Sequence, residues 1–496
     1  MPLDLTRTLD VPELTAVGLS LTLADLTRHV FVTGASGSGK TSSIAVPLIR
    51  AVLRLRETLP ASQRPALIVI DPKKELGGTL HALVPRDELL QIGRPDDRPI
   101  DLYASIPRRP HDIGVMADQL IAIAGAEWST NRDVFWTTSS RAVLRDLLQL
   151  DAVGTEDGAS AQLAQRRRAH LWRDVARAAR QYAGYSEAQC RRLLRIRRPL
   201  ARYLRLLDLL QRDSPAAPQF DRLVDELTNI FERHAPAAEL SALRRLPTLA
   251  TETGTSLVAS VAAQLGCLTA DGVQLVVSFD PLPPGRPSGR LDLGQAIRGG
   301  HVVLFQPDTE GEEAAAIGRA IKVAYYGAVV GGAALSADRQ AVERLAVLVA
   351  DEYQTVMSLS LTGVNDARFL DRARAYGGAA VLICQSTSAL LERVPEGNRS
   401  AVRALLTNMG TKCYFASSDP VSVEELRSVI VGPPIAHLPH LLDVRPPSTF
   451  PPGKMAWLSA GRFGLGTVPL PFTRPSPTPN HEAEVNRPGI RGDSVS

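Results

Sequence analysis

Lysine, cysteine and long apolar runs are all scarce in this sequence of 496 residues. Only 6 of its 56 basic residues are lysines, and the others are arginines. The four cysteines (Cys190, Cys267, Cys384 and Cys413) lie far apart without a C-x-x-C pair. This spacing argues against a structural zinc site and favours a reducing compartment. No stretch of about 18 residues is apolar and free of charge, and the nearest, 323–337, predicts a buried helix of a soluble protein.

The composition is that of a globular protein. Apolar residues make up 44% and charged residues 22%, which excludes a wholly disordered or collagen-like chain. The length predicts two or three domains, each able to bury its own core. The chain opens without a basic and then apolar leader, so we expect no signal peptide.

Positive charge is concentrated in one segment. The chain carries a net charge of +4, but residues 166–213 hold fourteen arginines against four acids, a net charge of +10 over 48 residues. Such a segment suits a polyanion or an acidic protein surface, although a solvated helical face has the same composition. The candidate nucleic-acid contacts are Arg166, Arg167, Arg168, Arg191, Arg192 and Arg195.

Short apolar runs alternate with helical patterns along most of the chain. The runs at 29–33, 67–70, 274–279, 301–305, 345–350, 379–384 and 411–416 predict strands of an α/β fold with a mostly parallel sheet. The alternation stops in an arginine- and leucine-rich stretch, which predicts an all-α insertion. We therefore expect a motor core in two parts, 1–150 and 269–470, an all-α substrate domain at 151–268 and a disordered tail at 471–496.

A complete G-x-x-x-x-G-K-T motif, residues 34–41, follows the first apolar run and precedes a helix. This context predicts a P-loop, in which backbone N–H groups and a helix N-terminus hold phosphates. Lys40 would reach the β- and γ-phosphates of ATP, and the Thr41 hydroxyl would bind Mg²⁺. The predicted nucleotide-binding residues are Gly34, Gly37, Ser38, Gly39, Lys40, Thr41 and Ser42.

The apolar run 345–350 ends in two acids, Asp351 and Glu352, which is a Walker B pattern. Asp351 is expected to hold Mg²⁺, and Glu352 is expected to act as the general base on the attacking water. The alternative is a strand that happens to end in two capping acids. An adjacent glutamate favours an ATP-hydrolysing motor over a kinase.

Two further polar residues flank the run 379–384. Gln385 follows it, where an amide can contact the γ-phosphate or the attacking water, and Arg374 precedes it. An arginine supplied by a neighbouring subunit can neutralise charge in the transition state. On position alone, each of these residues is more often an ordinary polar loop residue.

The motifs resemble, in order, those of type IV secretion coupling proteins, the TraG/TraD-type ATPases of the HerA–FtsK superfamily. The resemblance rests on Asp71-Pro72-Lys73-Lys74-Glu75, Phe135-Trp136, the acids at 351–352, the Arg-x-Tyr-Gly at 374–377 and the Cys-Gln-Ser at 384–386, and it spans about residues 28–435. It implies a RecA-like P-loop core, usually hexameric, interrupted by an all-α domain that handles the substrate. It also implies that Arg374 is a trans-acting arginine and that Gln385 contacts the nucleotide site.

The chain departs from that family in two places. Membrane-bound members carry transmembrane helices before the motor, whereas this P-loop begins at Gly34, and Lys74 stands where glycine is frequent. We therefore expect a cytoplasmic protein, with peripheral attachment to the inner membrane through partners left open.

Three functions fit these observations. The leading one is a ring ATPase that translocates DNA or a nucleoprotein, working with a membrane secretion channel. The second is a HerA-like DNA translocase that works with a partner nuclease in DNA processing or phage defence. The third is a nucleotide-gated adaptor for protein cargo, which the complete set of Lys40, Thr41, Asp351 and Glu352 disfavours.

Overall fold

The computed structural model describes most of the chain, and the predicted tail at 471–496 lies outside the described residues. These residues are 3–94, 97, 99–101, 113–125, 134–151, 161–195, 220–234, 241–245, 253–254, 256–257, 259–262, 277–278, 291–307, 311–335, 342, 344–360, 364–394, 396–431 and 450–468.

A nine-stranded sheet in the order β11-β10-β9-β1-β8-β7-β2-β6-β3 organises the molecule, and β4 and β5 form a separate parallel pair. Seven neighbouring strands, from β9 to β3, are parallel, and the antiparallel β10 and β11 close one side. The strands are β1 (Val30–Thr33), β2 (Ala66–Ile70), β3 (Leu89–Ile92), β4 (Ile100–Asp101), β5 (Val277–Ser278), β6 (Val302–Phe305), β7 (Ala346–Ala350), β8 (Gly378–Cys384), β9 (Thr411–Tyr414), β10 (Lys454–Ser459) and β11 (Arg462–Thr467).

The α-helices cover both faces of this sheet. They are α1 (Pro12–Thr15), α2 (Leu23–Leu26), α3 (Val46–Thr58), α4 (Gly77–Leu83), α5 (Ile113–Ala124), α6 (Val134–Asp151), α7 (Ala161–Tyr182), α8 (Glu187–Arg195), α9 (Phe220–His234), α10 (Ser241–Arg245), α11 (Leu293–Arg298), α12 (Glu312–Leu335), α13 (Asp366–Ala373), α14 (Thr387–Glu392), α15 (Arg399–Thr407) and α16 (Pro420–Val431).

The central strands are buried on both faces, as their uninterrupted apolar sequences predict. In β2, Ile68 and Ile70 belong to one apolar core, and Leu67 and Val69 belong to the other. Successive side chains of a strand point to opposite faces, so each strand contributes to both cores. The first core contains residues of α5–α15, and the second contains residues of the N-terminal segment, α3 and α4.

Only helices lie between β4 and β5 among the described residues of that region. The described helical run begins at Ile113 with α5 and α6, before the predicted boundary at 151. Trp172 and Cys190 are buried in the same apolar core as α12 and α13, so the helical region and this sheet face share one core. No helix of the described residues is long and apolar enough to span a membrane.

Candidate active site

Four neighbouring strands end at one edge of the sheet. The order β1-β8-β7-β2 is continuous and all three pairings are parallel, so the carboxyl ends of these strands lie side by side. The P-loop follows β1, Gln385 follows β8, the Asp351–Glu352 pair follows β7, and Asp71 follows β2. Crevices at the carboxyl ends of parallel strands are where α/β sheets bind ligands.

The P-loop joins β1 to a helical segment that starts as a π-helical turn (Thr41–Ala45) and continues as α3. Pro47 lies within this continuous helical segment, directly after the π-helical turn, and its missing N–H removes one helical hydrogen bond there. Gly37 and Gly39 have φ angles of +73° and +98°, which glycine adopts readily. The loop is thereby able to direct its N–H groups inward, as a phosphate site requires.

Lys40 is buried against the loop that carries it. Its Nζ atom donates hydrogen bonds to the carbonyl oxygens of Gly34, at 2.6 Å, and Ala35, at 2.8 Å. Burial lowers the pKa of Lys40, while the nearby Asp351 carboxylate works in the opposite direction. The ammonium group is thus held at the mouth of the loop, where phosphate oxygens would replace the carbonyl groups.

Asp351 fits the role of a cation ligand. Its side chain is 3% exposed, and burial raises its pKa to about 6. The Oδ1 atom accepts a hydrogen bond from the Glu352 N–H, but the buried Oδ2 atom has no hydrogen-bond partner among the described residues. A buried oxygen without a partner is costly, and together with the Thr41 hydroxyl it suits the oxygen ligands that Mg²⁺ takes.

Glu352 lies at the centre of a polar cluster. Its backbone is left-handed, with φ of +48°, and its carboxylate accepts hydrogen bonds from Gln354 and from Gln385, the latter at 3.0 and 3.2 Å. Lys73 forms an ion pair with the same carboxylate. Burial by itself raises the pKa of Glu352, but the contacts with Lys73, Gln385 and Gln354 outweigh it and lower the pKa. The carboxylate is therefore ionised at neutral pH, as a general base must be.

Lys73 is a site residue that was not predicted individually. It belongs to the Asp-Pro-Lys box, which was the signal that could have identified it. Asp71, at the start of this box, is fully buried and accepts hydrogen bonds from the N–H groups of Glu75, Leu76 and Gly77. The Gln306 amide, at the end of β6, donates a further bond to Asp71 at 2.8 Å. Asp71 thus fixes the turn that carries Lys73 toward Glu352.

The turn after Glu352 is anchored by a buried ion pair. Lys322 of α12 contacts both carboxylate oxygens of Asp366, the first residue of α13, at 2.7 and 2.8 Å, and both side chains are fully buried. The Tyr353 hydroxyl and the Ser358 N–H also donate to Asp366. Because Tyr353 directly follows Glu352, this pair restrains the backbone of the expected general base.

Arg374 is the one predicted catalytic residue that the structure does not bring to this cluster. It is exposed, in the 3-10 turn Arg374–Tyr376 that precedes β8, whereas Gln385 follows the same strand. The seven residues of β8, at about 3.3 Å each, separate the two by about 23 Å. Arg374 therefore lies at the amino ends of the parallel strands, whereas the P-loop lies at their carboxyl ends.

The predicted nucleic-acid contacts lie far from the P-loop in sequence, on α7 and α8. Arg166, Arg167, Arg191, Arg192 and Arg195 are exposed, and Arg168 is half-buried. The structure adds three exposed arginines of α7 that the prediction left out, Arg173, Arg177 and Arg180. With Arg166 they follow helical spacing, so they form one basic stripe along the helix, which we call the α7 stripe.

Residues 13–226 match the sequence family described as the type IV secretion-system coupling protein DNA-binding domain. The matched range contains the P-loop, the Asp-Pro-Lys box and the α7 stripe, and it ends before Asp351. Among curated proteins, none matches the chain.

Solved structures of a coupling protein share the fold. The bacterial conjugative coupling protein TrwBdeltaN70, in its unbound monoclinic form, is 14% identical, with 95% of this chain and 90% of that chain covered and a TM-score of 0.51. The plasmid coupling protein TrwB in complex with the non-hydrolysable GTP analogue GDPNP is 15% identical, with 90% and 86% covered and a TM-score of 0.51. The trigonal form with sulphate is 16% identical, with 95% and 94% covered and a TM-score of 0.50. At these identities the likeness establishes a RecA-like P-loop fold, and with the match over residues 13–226 it confirms the predicted resemblance to type IV secretion coupling proteins.

Proposed function

We propose that this protein is a ring-forming P-loop ATPase that uses ATP hydrolysis to translocate DNA or a nucleoprotein, in the manner of a conjugative coupling protein. The observation that carries the proposal is the meeting of the P-loop, Asp351, Glu352 and Gln385 at one edge of the sheet. The match of residues 13–226 to a coupling-protein DNA-binding domain supports the choice of substrate.

The residues at this edge divide into binding and catalytic roles. The P-loop N–H groups and Lys40 would hold the phosphates of ATP, and Thr41 and Asp351 would hold Mg²⁺, which when bound neutralises charge on the phosphates. Lys73, close enough to Lys40 to affect its pKa, adds positive potential. Glu352 would take the proton of the attacking water, and Gln385, bonded to Glu352, would orient that water beside the γ-phosphate.

The hydrolytic role is tested by substituting the expected base. Glu352→Gln should retain ATP binding, measured with a fluorescent analogue, and slow turnover roughly 10²–10⁴-fold, the usual contribution of a general base. Lys40→Ala should instead weaken binding itself. Glu392→Gln, on the exposed side of α14, is the matched control and should hydrolyse ATP at the parent rate. Parent-like turnover in Glu352→Gln would remove Glu352 from the mechanism.

The substrate is tested through the salt dependence of DNA binding. Each phosphate that an arginine neutralises releases counterions, so log K should fall linearly with log[salt], by about 0.9 per contact on duplex and about 0.7 on single strands. Arg166→Gln with Arg167→Gln should make this slope shallower, while Arg86→Gln with Arg427→Gln, an equal loss of exposed charge elsewhere, should not. A DNA affinity that does not change with salt concentration, or no DNA binding by the parent, would favour the protein-cargo adaptor.

A further inference from the structure

Arg319 of α12 is a buried arginine that joins three separate parts of the chain. Its side chain is only 4% exposed. The Nε atom donates to the Ile123 carbonyl oxygen of α5 at 2.7 Å, and Nη1 donates to the Thr355 carbonyl oxygen at 3.2 Å. The Nη2 atom contacts the carboxylate of Glu312, an exposed residue, at 3.4 Å. The planar guanidinium fork is suited to hold such groups together, and a lysine cannot reproduce all of these contacts.

The contact with α5 is made at the end of that helix. Ile123 is in the last turn, where carbonyl groups lack helical partners and the helix dipole favours a cation. Gly125 follows with φ of +69°, and a Cβ atom there would lie 2.9 Å from the Arg319 guanidinium. The chain therefore leaves α5 by a glycine that gives the arginine room to cap the helix.

The contact with Thr355 leads directly to the expected general base. Thr355 donates two hydrogen bonds to the Glu352 carbonyl oxygen, one from its N–H and one from its hydroxyl, both at 2.8 Å. Lys322, one helical turn from Arg319, restrains the same turn through Asp366 and Tyr353. Lys322 and Arg319 connect this turn to different parts of the molecule. The partner of Lys322, Asp366, begins a helix packed on the sheet, whereas the partner of Arg319, Ile123, belongs to the helical region.

On its other side, α5 is connected to the arginine-rich helices. Arg141 of α6 forms a salt bridge with Asp118 of α5. One apolar core runs without a break from Ile123 of α5 through Leu147 of α6 to Leu171 and Val175 of α7. The face of α7 opposite this core carries the α7 stripe.

We infer that Arg319 is a positioning residue that couples DNA binding on α7 and α8 to hydrolysis at Glu352. A shift of α5 on DNA binding moves the guanidinium, and Thr355 carries that movement to the backbone of Glu352. The inference rests on the proposed function, because it requires a DNA-stimulated ATPase. Coupling between two sites is on the order of 5–150-fold in the proteins where it has been measured.

The experiment compares the DNA-stimulated and unstimulated ATPase rates of the full chain, with DNA affinity measured in parallel by fluorescence anisotropy. Arg319→Lys should reduce the stimulation factor at least fivefold and leave the DNA dissociation constant unchanged. A purely structural role for Arg319 would predict weaker DNA binding as well. Glu312→Gln removes the charge of an exposed partner that pairs with both Arg319 and Arg393, and it should keep parent-like stimulation.

Gly125→Ala tests the same contact from the side of α5, should Arg319→Lys fail to fold. The added methyl group presses on the guanidinium and also strains the left-handed backbone at the end of α5, so we expect the same loss of stimulation with unchanged DNA affinity. Full stimulation in either folded variant would overturn the coupling role and leave the proposed function intact. A parent protein that binds DNA without any stimulation would instead refute the translocase itself, and with it the coupling.

Discussion

At the scale of single residues, the carboxylate of Glu352 is held by several polar contacts in the candidate active site. It is 7% exposed, yet three side chains donate hydrogen bonds or charge to it. Lys73 is the only cation among them in the described structure, so it has the strongest effect on the charge of the base. Its own pKa is raised because the contacts with Glu352 outweigh burial, which lowers it.

We predict that Lys73→Ala moves the acid side of the pH–rate profile to higher pH. Both Walker B acids must be deprotonated to act, and loss of the Lys73 cation raises the pKa of Glu352 and of Asp351, so hydrolysis should fail at a higher pH as the solution is acidified. The measurement is kcat/KM for ATP across the acid range. Lys74→Ala removes an equal charge from the neighbouring position and should leave the profile in place. An unmoved acid limb in Lys73→Ala would mean that this ion pair does not set the ionisation of Glu352.

At the scale of secondary-structure elements, the Asp-Pro-Lys box acts through the start of α4. Three N–H groups there donate hydrogen bonds to the buried Asp71, and the Gln306 amide donates a fourth. A Cβ atom on Gly77 would lie 2.2 Å from the Gln306 Nε2 atom. Position 77 therefore requires a glycine, because the Gln306 side chain lies directly against its backbone. At the next residue, Gly78, no atom lies within 4 Å of the position that a Cβ atom would take.

The two glycines therefore provide a matched pair. Gly77→Ala should lower the free energy of unfolding by about 1–3 kcal/mol, because displacing Gln306 leaves buried polar groups without partners. Gly78→Ala adds the same methyl group to the same helix and should leave stability equal or raise it by up to about 1 kcal/mol. Denaturant unfolding of both variants measures the difference. Equal stability of the two would show that Gln306 can move at no cost.

At the scale of the whole molecule, the predicted catalytic residues lie at both ends of the parallel strands. The P-loop and the Walker B acids lie at the carboxyl ends, and Arg374 lies exposed at the amino ends, about 23 Å away across β8. A side chain cannot span that distance within one subunit. A catalytic role for Arg374 would therefore require the nucleotide of a neighbouring subunit, as in the proposed ring.

We predict that ATPase activity depends on assembly. Specific activity should rise steeply with protein concentration, and Arg374→Ala and Lys40→Ala should each be inactive alone. Mixing the two variants should restore part of the activity, because some interfaces then combine an intact P-loop with an intact arginine. Arg372→Ala, two residues earlier and also exposed, is the control and should be active alone. Activity that stays constant from dilute to concentrated protein would contradict a trans-acting Arg374.

The sequence by itself was enough to predict the α/β class, the parallel strands and the P-loop. These features are encoded locally: an apolar run buried on both faces, a glycine-rich turn and two acids at a strand end are each visible within about ten residues. The order of the strands is not local, and it decides that Gln385 and Lys73 both meet Glu352 whereas Arg374 does not. The antiparallel β10 and β11, and the link from Ile123 through Arg319 to Thr355, depend on residues far apart in the chain. Only tertiary structure brings such residues together, because a hydrogen bond between distant segments leaves no periodic pattern in either one.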